Sequence, residues 1–271
     1  MDPSNPVDAR AQVVDARAQV VAALRPLYNT EADADAFERR VLVINAVLLG
    51  HLVLCWLGWL PAWTFVLTIP PLFVRWLSTI HELSHLRGPT QVSVFVRLFL
   101  LLTGPFTSGF RELRIEHMLH HKHGLGPQDP TLYLVHGSTA SGVWAALTAP
   151  EQLLFRSVKT NGTDRALLVD CAVRCGCFVL AALVFEDTFV WYWIVLRLSY
   201  AMAFFMFFRA IHRRGEQAGM FEARFPLGIE YLLVLWFGRE AANAIFYHDS
   251  HHAHPLVSGR FLRQASRVLK T

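Results

Sequence analysis

The stretch "VLVINAVLLGHLVLCWLGWL", residues 41–60, contains 20 residues and no formal charge. A helix needs about 20 apolar residues to cross a bilayer. Three more apolar stretches of similar length contain only one or two charged residues each: "AWTFVLTIPPLFVRWLSTI" (62–80), "ALLVDCAVRCGCFVLAALVF" (166–185) and "FVWYWIVLRLSYAMAFFMFFRAI" (189–211). Only 17% of the 271 residues are charged, against about 25% in soluble domains. The sequence therefore predicts an all-α integral membrane protein with four transmembrane helices in two hairpins, with a soluble helical bundle as the alternative.

The charges predict which side of the membrane each segment occupies. The first predicted turn (57–63) is uncharged and the second, at Glu186–Asp187, is acidic, whereas arginines flank the opposite ends of the spans. The excess of positive charge on cytoplasmic loops then places both termini and the segment 81–165 in the cytoplasm. We expect three regions: a polar N-terminal segment (1–40) with no cleavable signal peptide, a membrane domain (41–255) and a basic tail (256–271).

Shorter apolar and amphipathic stretches accompany the spans. The segments 94–110 and 225–238 are apolar but too short to span comfortably, so we expect interfacial helices there. The sequence "VDARAQV" occurs twice, at 7–13 and 14–20, and its period of seven predicts an amphipathic helix. The prolines of "IPP" (69–71) are expected to kink the second span.

Ten of the 13 histidines fall in three short runs, "HELSH" (81–85), "HMLHHKH" (117–123) and "HDSHHAH" (248–254). On helices, the first run places two imidazoles at i,i+4, and the other two runs each place three at i,i+3,i+4 on one face. The predicted topology puts all three runs at the cytoplasmic membrane face, forming a histidine cap. So many neutral nitrogen ligands favour two metal ions, and imidazole suits zinc, iron, copper and nickel alike.

Two other functions remain open from these residues. "HELSH" matches the H-E-x-x-H pattern of zinc metalloproteases, in which Glu82 would act as the general base. A non-catalytic metal-binding membrane sensor would also use clustered imidazoles. Neither alternative requires all three histidine runs in the way that a centre with two metals does.

Taken together, the three runs resemble the histidine boxes of the membrane fatty acid desaturase and hydroxylase superfamily. "FRELRIEHMLHHKHGLGPQDP" is similar to the second box with its following Asp-Pro, and "YHDSHHAHP" is similar to the third. The resemblance covers most of 40–260 and implies a non-haem centre of two irons that uses dioxygen to oxidise a lipid C–H bond. It also implies a ligand after the fourth span, where His212 stands. The implied ligands are His81, His85, His117, His120, His121, His212, His248, His251 and His252.

Other polar residues near the boxes are given supporting roles. Asp129, Asp249, Glu82 and Glu116 are candidates to accept hydrogen bonds from ligating imidazoles. We expect supporting or structural roles for the remaining box histidines, His123 and His254, and none in the site for His51 and His136.

The partners also follow from the resemblance. It favours desaturation of a fatty acyl or related lipid chain, with a hydroxylase or carotenoid ketolase as alternatives. No G-x-G-x-x-G nucleotide fingerprint is present, so electrons are expected from a separate ferredoxin or cytochrome with its reductase. A basic cytoplasmic face can dock such a carrier; we expect no nucleic-acid partner. The residues of that face are Arg111, Arg114, Lys122, Arg213, Arg214, Arg260 and Arg263.

Overall fold

The computed structural model describes residues 18–99, 104 and 106–270. Its α-helices, in chain order, are α1 (Glu31–Trp56), α2 (Phe65–Leu86), α3 (Val94–Leu98), α4 (Phe110–His123), α5 (Leu132–Val135), α6 (Thr139–Leu147), α7 (Ala149–Asn161), α8 (Arg165–Phe204), α9 (Leu227–Phe237), α10 (Arg239–Phe246), α11 (His248–Ala253) and α12 (Leu262–Leu269). A π-helical stretch, Phe205–Ala210, continues α8, and short 3₁₀ turns occur at Arg25–Leu27, Ala62–Thr64 and Gly259–Phe261. Two strands of two residues each, β1 (Arg213–Arg214) and β2 (Gln217–Ala218), pair antiparallel and add a small element that an all-α prediction omits.

The first hairpin consists of α1 and α2. α1 begins ten residues before the predicted span because Thr30 and Asp33 form a capping box at its N-terminus. Each side chain there accepts a hydrogen bond from the other residue's backbone N–H. α2 runs from Phe65 to Leu86 with Pro70 and Pro71 inside it, so the helix continues through the proline pair.

The second hairpin is made within α8. Its backbone leaves the helical region at Glu186, where φ is 48° and ψ is −129°. The rings of Phe178 and Trp193 are 5.1 Å apart, although a straight helix would separate residues 15 positions apart by roughly 22 Å. The chain therefore reverses at Glu186, close to the turn predicted there, and the two halves of α8 lie side by side.

Within the described residues, three helices are long and apolar enough to cross a membrane: Glu31–Trp56, Ala62–Leu86, and the 46-residue stretch Arg165–Ala210 that contains the reversal. Their outer faces carry exposed large apolar side chains, such as Leu183 on α8 at 72% exposure. The rings of Trp56 and Phe185 lie 5.7 Å apart, so the turns of both hairpins meet at one end of the bundle.

The two segments expected at the interface differ in outcome. Of the helix expected over 94–110, the structure shows a short part, α3: it ends at Leu98, Phe99 adopts a left-handed conformation (φ 51°), and a new helix begins at Phe110. Residues 100–103 and 105 lie outside the described residues. The segment 225–238 does contain a helix, α9, whose apolar surface is largely exposed, with Leu227 at 84%.

The two ends of the described chain pack on each other. Residues 18–24 are helical, whereas most of the predicted heptad helix lies outside the described residues. Leu24 is fully buried in a small core with Val257 and Leu262. The Asn29 N–H donates to the carbonyl of Leu256 at 2.9 Å. This packing fixes the C-terminal segment against the start of α1, on the same side as the histidine runs.

Candidate metal centre

All three histidine runs are helical, as predicted. His81 and His85 lie in the last turns of α2, the second run lies in the last turns of α4, and the third forms α11. α4 stops directly after its histidines because Gly124 adopts the left-handed conformation (φ 46°) that closes a helix C-terminus. His212 follows the π-helical stretch that ends the second hairpin, a type of irregularity that is frequent at functional sites.

The structure brings all nine predicted histidines together, in two adjacent groups. The five-histidine group contains His81, His85, His117, His121 and His251; the four-histidine group contains His120, His212, His248 and His252. Within each group the candidate ligand atoms all lie within 4.8 Å of one another. The groups adjoin directly, since the rings of His121 and His252 stack at 4.2 Å.

In both H-x-x-H-H runs the i,i+4 pair enters one group and the i+3 histidine enters the other. In α4, the i,i+4 pair His117 and His121 enters the five-histidine group, while His120 enters the other group. In α11 the assignment is reversed, since the i,i+4 pair enters the four-histidine group and His251 enters the five-histidine group. Each of these two helices therefore contributes to both groups.

The Nε2 atoms point toward one another. His117 and His85 approach to 2.8 Å between Nε2 atoms, and His251 and His121 to 3.2 Å. In the other group, Nε2 of His248 lies 3.0 Å from Nε2 of both His212 and His252. Three converging imidazole nitrogens cannot all be satisfied by hydrogen bonds to each other, but they match the way imidazoles surround a cation.

The opposite ring nitrogens fix the tautomers in the four-histidine group. Nδ1 of His120 lies 2.7 Å from Oδ2 of Asp129, and Nδ1 of His248 and of His212 each lies 3.2 Å from a backbone carbonyl. Carboxylate and carbonyl oxygens only accept, so each Nδ1 carries a proton, and a ring with no second proton turns its Nε2 lone pair toward the group. Among the described residues, the buried Nε2 of His120 has no hydrogen-bond partner. These donors fit a metal ion that takes imidazole ligands.

The environment keeps the rings of His121, His212, His248 and His251 neutral. Burial, together with the neighbouring imidazoles, lowers the pKa of His121 and of His212 to about 3. The same causes hold the pKa values of His248 and His251 well below the usual range. Neutral imidazole is the form that binds metals, so the rings need not lose protons at pH 7 before they bind.

Asp129 is the predicted carboxylate that contacts an imidazole most closely. It is buried, and burial alone raises a carboxyl pKa, but the hydrogen bonds from His120 and Thr131 outweigh this and lower the pKa of Asp129 to about 2. Thr131 also places its hydroxyl 3.0 Å from Nδ1 of His120. Sequence reasoning missed Thr131, whose only signal is its position two residues after Asp129.

Glu82 and Asp249 lie differently from their predicted positions. Glu82 is buried, and its Oε2 accepts hydrogen bonds from Asn29 Nδ2 at 2.6 Å and from the Gly259 N–H at 3.4 Å. Its Oε1 is 3.7 Å from Nδ1 of His81, beyond hydrogen-bond distance. Asp249 accepts hydrogen bonds from the N–H and hydroxyl of Ser250 at the start of α11. Both carboxylates therefore bond to the surrounding chain rather than closely to a ligand ring.

A narrow cavity of about 60 Å³ borders both groups. Half of its 14 lining residues are apolar, and it reaches His81 and His117 of one group and His120 and His248 of the other. Glu116 also lines the cavity; burial raises its pKa to about 7, and its Oε2 has no hydrogen-bond partner among the described residues. The apolar wall consists of Leu77, Leu113, Leu153, Phe204, Phe207, Phe208 and Ala244.

Four histidines stand outside the two groups. His51 lies on α1, where its Nε2 is 2.7 Å from the hydroxyl of Thr64, in the turn that precedes α2. His136 is exposed, as expected for a loop residue. Neither His123 nor His254 belongs to a group formed by the described residues.

Most of the predicted basic docking face is engaged within the chain. Arg111 pairs with Asp164, Arg260 pairs with Asp33, and Arg114 donates to the carbonyl of Ser84. Arg213 and Arg214 donate to backbone carbonyls around the β1–β2 hairpin. Lys122 and Arg263 are exposed. The face therefore offers fewer free cations than its seven residues suggest.

Comparison with known proteins found no matching family model, no matching curated protein and no matching solved structure.

Proposed function

We propose that this protein is a membrane-bound oxidoreductase with two irons, which uses dioxygen and external electrons to desaturate a fatty acyl or related lipid chain. The observation that carries the proposal is the pair of adjacent all-imidazole groups beside an apolar cavity. Iron bound there supplies activation of dioxygen and oxidation of an unactivated C–H bond, the chemistry implied by the resemblance of the three histidine runs.

The choice of two metals rests on the ligand count. A four-coordinate ion uses four ligands, so nine imidazoles exceed what one ion takes. Each group can hold one ion separately, with α4 and α11 contributing to both. Neither group contains a carboxylate ligand. A purely nitrogen donor set does not select iron over zinc or copper, and iron is therefore proposed on the resemblance.

The fold supports a lipid substrate at this position. The proposed membrane arrangement has four spans, with the two halves of α8 serving as the second hairpin. The turns of both hairpins meet at one end, and the last turns of α2 carry His81 and His85 at the other end. Positive-inside topology places that histidine end in the cytoplasm. A chain that enters the cavity from the membrane can then reach the histidines without leaving apolar surroundings.

The chain's own residues have three tasks in this reaction. Phe204, Phe207 and Phe208 line the cavity and hold a methylene near the histidines while excluding water. Asp129 holds the proton of His120 on Nδ1 and so keeps the Nε2 lone pair directed into the group. Positioning of this kind matters because small displacements of a reacting carbon change the rate greatly.

The metalloprotease alternative fits the geometry less well. A general base in H-E-x-x-H must face the water on the metal, whereas Glu82 holds Asn29 and lies near Gly259. It would also leave the four-histidine group without a role. A metal sensor remains the alternative of another class, and it is distinguished by the absence of any oxidised product.

Electrons are proposed to come from a separate carrier protein, since the sequence contains no nucleotide-binding fingerprint. The exposed Lys122 lies on α4 beside His121. A carrier docked there would be close to both groups.

The test is mass spectrometry of total lipids from cells that express the wild-type chain, His252→Ala, or His136→Ala as the matched control, an exposed histidine outside both groups. We expect a lipid that has lost two hydrogens in the wild type and in His136→Ala, and not in His252→Ala. A lipid that has gained one oxygen instead would assign a hydroxylase. Identical lipids in all strains, with electron carriers shown to be present, would contradict an oxidoreductase and favour the sensor or the protease.

A further inference from the structure

A second, larger cavity of about 610 Å³ lies between α1 and the two halves of α8. Its wall is almost entirely apolar, with Leu49 on α1 and Phe185 and Trp193 on the two halves of α8. It shares no lining residue with the cavity beside the histidines among the described residues. The volume falls within the range of roughly 300–1,000 Å³ for small-molecule sites.

Among the described residues that line this apolar cavity, one is charged. Arg174 is 2% exposed, and its Nη2 lies 3.1 Å from the Sγ of Cys171. Its Nε and Nη1 have no hydrogen-bond partner among the described residues. Asn45, across the cavity on α1, also has a buried Oδ1 without a partner in the described part of the chain.

The nearest carboxylates are engaged elsewhere. Asp170, one turn earlier on α8, pairs with Arg97 at 3.3 Å. Glu112 accepts the Gly109 N–H at 2.8 Å as part of the capping arrangement of α4. No described carboxylate lies within ion-pair distance of the Arg174 guanidinium.

A buried guanidinium without an anion is costly. Arginine keeps its charge in proteins, and a buried charge without a partner is strongly destabilising. Ionisable residues within membrane spans accordingly tend to mark ligand or ion sites. Because Arg174 is almost fully buried, it does not reach the membrane surface in the way that long basic side chains near helix ends often do.

The shape of the cavity specifies the rest of the ligand. Lining residues extend along α8 from Arg174 to Phe185, a distance of roughly 16 Å at the helical rise. The hydrocarbon depth of one membrane leaflet is about 15 Å. One acyl chain of ordinary membrane length therefore matches the apolar wall, and a carboxylate at its end matches the planar donor fork of Arg174.

We propose that this cavity binds a long-chain fatty carboxylate, with its carboxylate on Arg174 and its tail directed toward the turn at Glu186. The Asn45 amide provides two further N–H donors for the head group once it rotates. The site is separate from the histidine groups, and its binding needs no metal and does not depend on the proposed oxidation.

The test uses the purified full chain in maltoside micelles with palmitate that carries a photoreactive diazirine near its tail end. We expect cross-linking to peptides within 178–193. Arg174→Gln should weaken labelling at least tenfold, Arg174→Lys should restore part of it, and the exposed Arg165→Gln on the same helix should leave it unchanged. Unchanged labelling in Arg174→Gln would overturn the proposal.

Two further measurements keep the proposal testable if Arg174→Gln does not fold. Leu49→Trp fills the cavity from the partly exposed side of α1 and leaves Arg174 in place, so it should abolish labelling; full labelling would overturn the site. Unlabelled palmitate should compete, whereas hexadecanol, which has the same chain length without the charge, should not. If hexadecanol competes as well as palmitate, the carboxylate–arginine contact is refuted. If phosphatidylglycerol competes more strongly than palmitate, the ligand of this cavity is a phospholipid and not a fatty acid.

Discussion

Asp129→Asn is the sharpest test of the four-histidine group because it changes one charge and almost no volume. The carboxylate accepts four hydrogen bonds: from His120 Nδ1 (2.7 Å), the Leu125 N–H (2.8 Å), and the N–H (2.8 Å) and hydroxyl (2.7 Å) of Thr131. An amide offers only one oxygen. The NH₂ of the new amide must therefore face either the N–H of Thr131, which cannot accept a hydrogen bond, or Nδ1 of His120.

The consequence for the metal follows from the tautomer. If the amide NH₂ faces His120, that ring relieves the conflict by moving its proton from Nδ1 to Nε2. Nε2 then no longer presents a lone pair to the four-histidine group. Loss of such a supporting carboxylate typically weakens metal affinity 10- to 100-fold, which corresponds to about 1.4–2.8 kcal/mol.

The measurement is a titration of the metal-free protein with Co²⁺, followed by its visible absorption. We expect two tight sites in the wild type, but one tight and one weakened site in Asp129→Asn. Asp249→Asn is the matched control, because Asp249 bonds to Ser250 and should leave both sites intact. Two equally tight sites in Asp129→Asn would refute the role of the carboxylate.

Three further predictions concern stability, each measured by unfolding of the metal-free protein in micelles. The pKa of the buried His212 is about 3 in the folded protein and about 6.5 in the unfolded chain. Its contribution to the free energy of unfolding is therefore complete above pH 6.5 and decreases as pH falls, by about 1.4 kcal/mol at pH 5.5. A free energy of unfolding that stays constant from pH 7 to 5 would contradict this prediction. Glu186→Gly should stabilise the protein by about 1 kcal/mol, since glycine tolerates the φ of 48° at this position. Glu186→Ala should not stabilise it, and equal changes in the free energy of unfolding for the two variants would exclude backbone strain at Glu186. Arg209→Gln should destabilise it by about 2 kcal/mol, because Arg209 is buried and donates to the carbonyls of Val135 and Gly137; an unchanged unfolding transition would show those bonds to be dispensable.

Much of the site was predictable because helical spacing is a local property. The i,i+3,i+4 positions of the three histidine runs specify one face of a helix, and the runs do lie on helices. The turn near Glu186 was predictable from charge between two apolar runs. The uncharged run predicts a first span from residue 41, so the start of α1 at Glu31 was not predicted. Thr30 and Asp33 nevertheless carry the capping pattern in the sequence.

Other features depend on tertiary contacts that no local pattern contains. Glu82 sits between two histidines in sequence, yet its partner Asn29 lies 53 positions away. The break at Phe99 interrupts an apolar run that reads as one helix, and its left-handed backbone is unusual for an aromatic residue. The division of nine histidines into five and four likewise depends on how α4 and α11 meet, so the spacing predicts a shared face but not which ring joins which group.

That division gives a final prediction, from two adjacent residues. His120 belongs to the four-histidine group and His121 to the five-histidine group. His120→Ala leaves three imidazoles in its group, whereas His121→Ala leaves four, enough for a tetrahedral ion. In the Co²⁺ titration, His120→Ala should therefore lose the site of the four-histidine group almost completely. His121→Ala should retain two sites, but the absorption of the ion in the five-histidine group should change. Loss of the same site in both variants, or of both sites in either, would mean that the nine imidazoles act as a single centre.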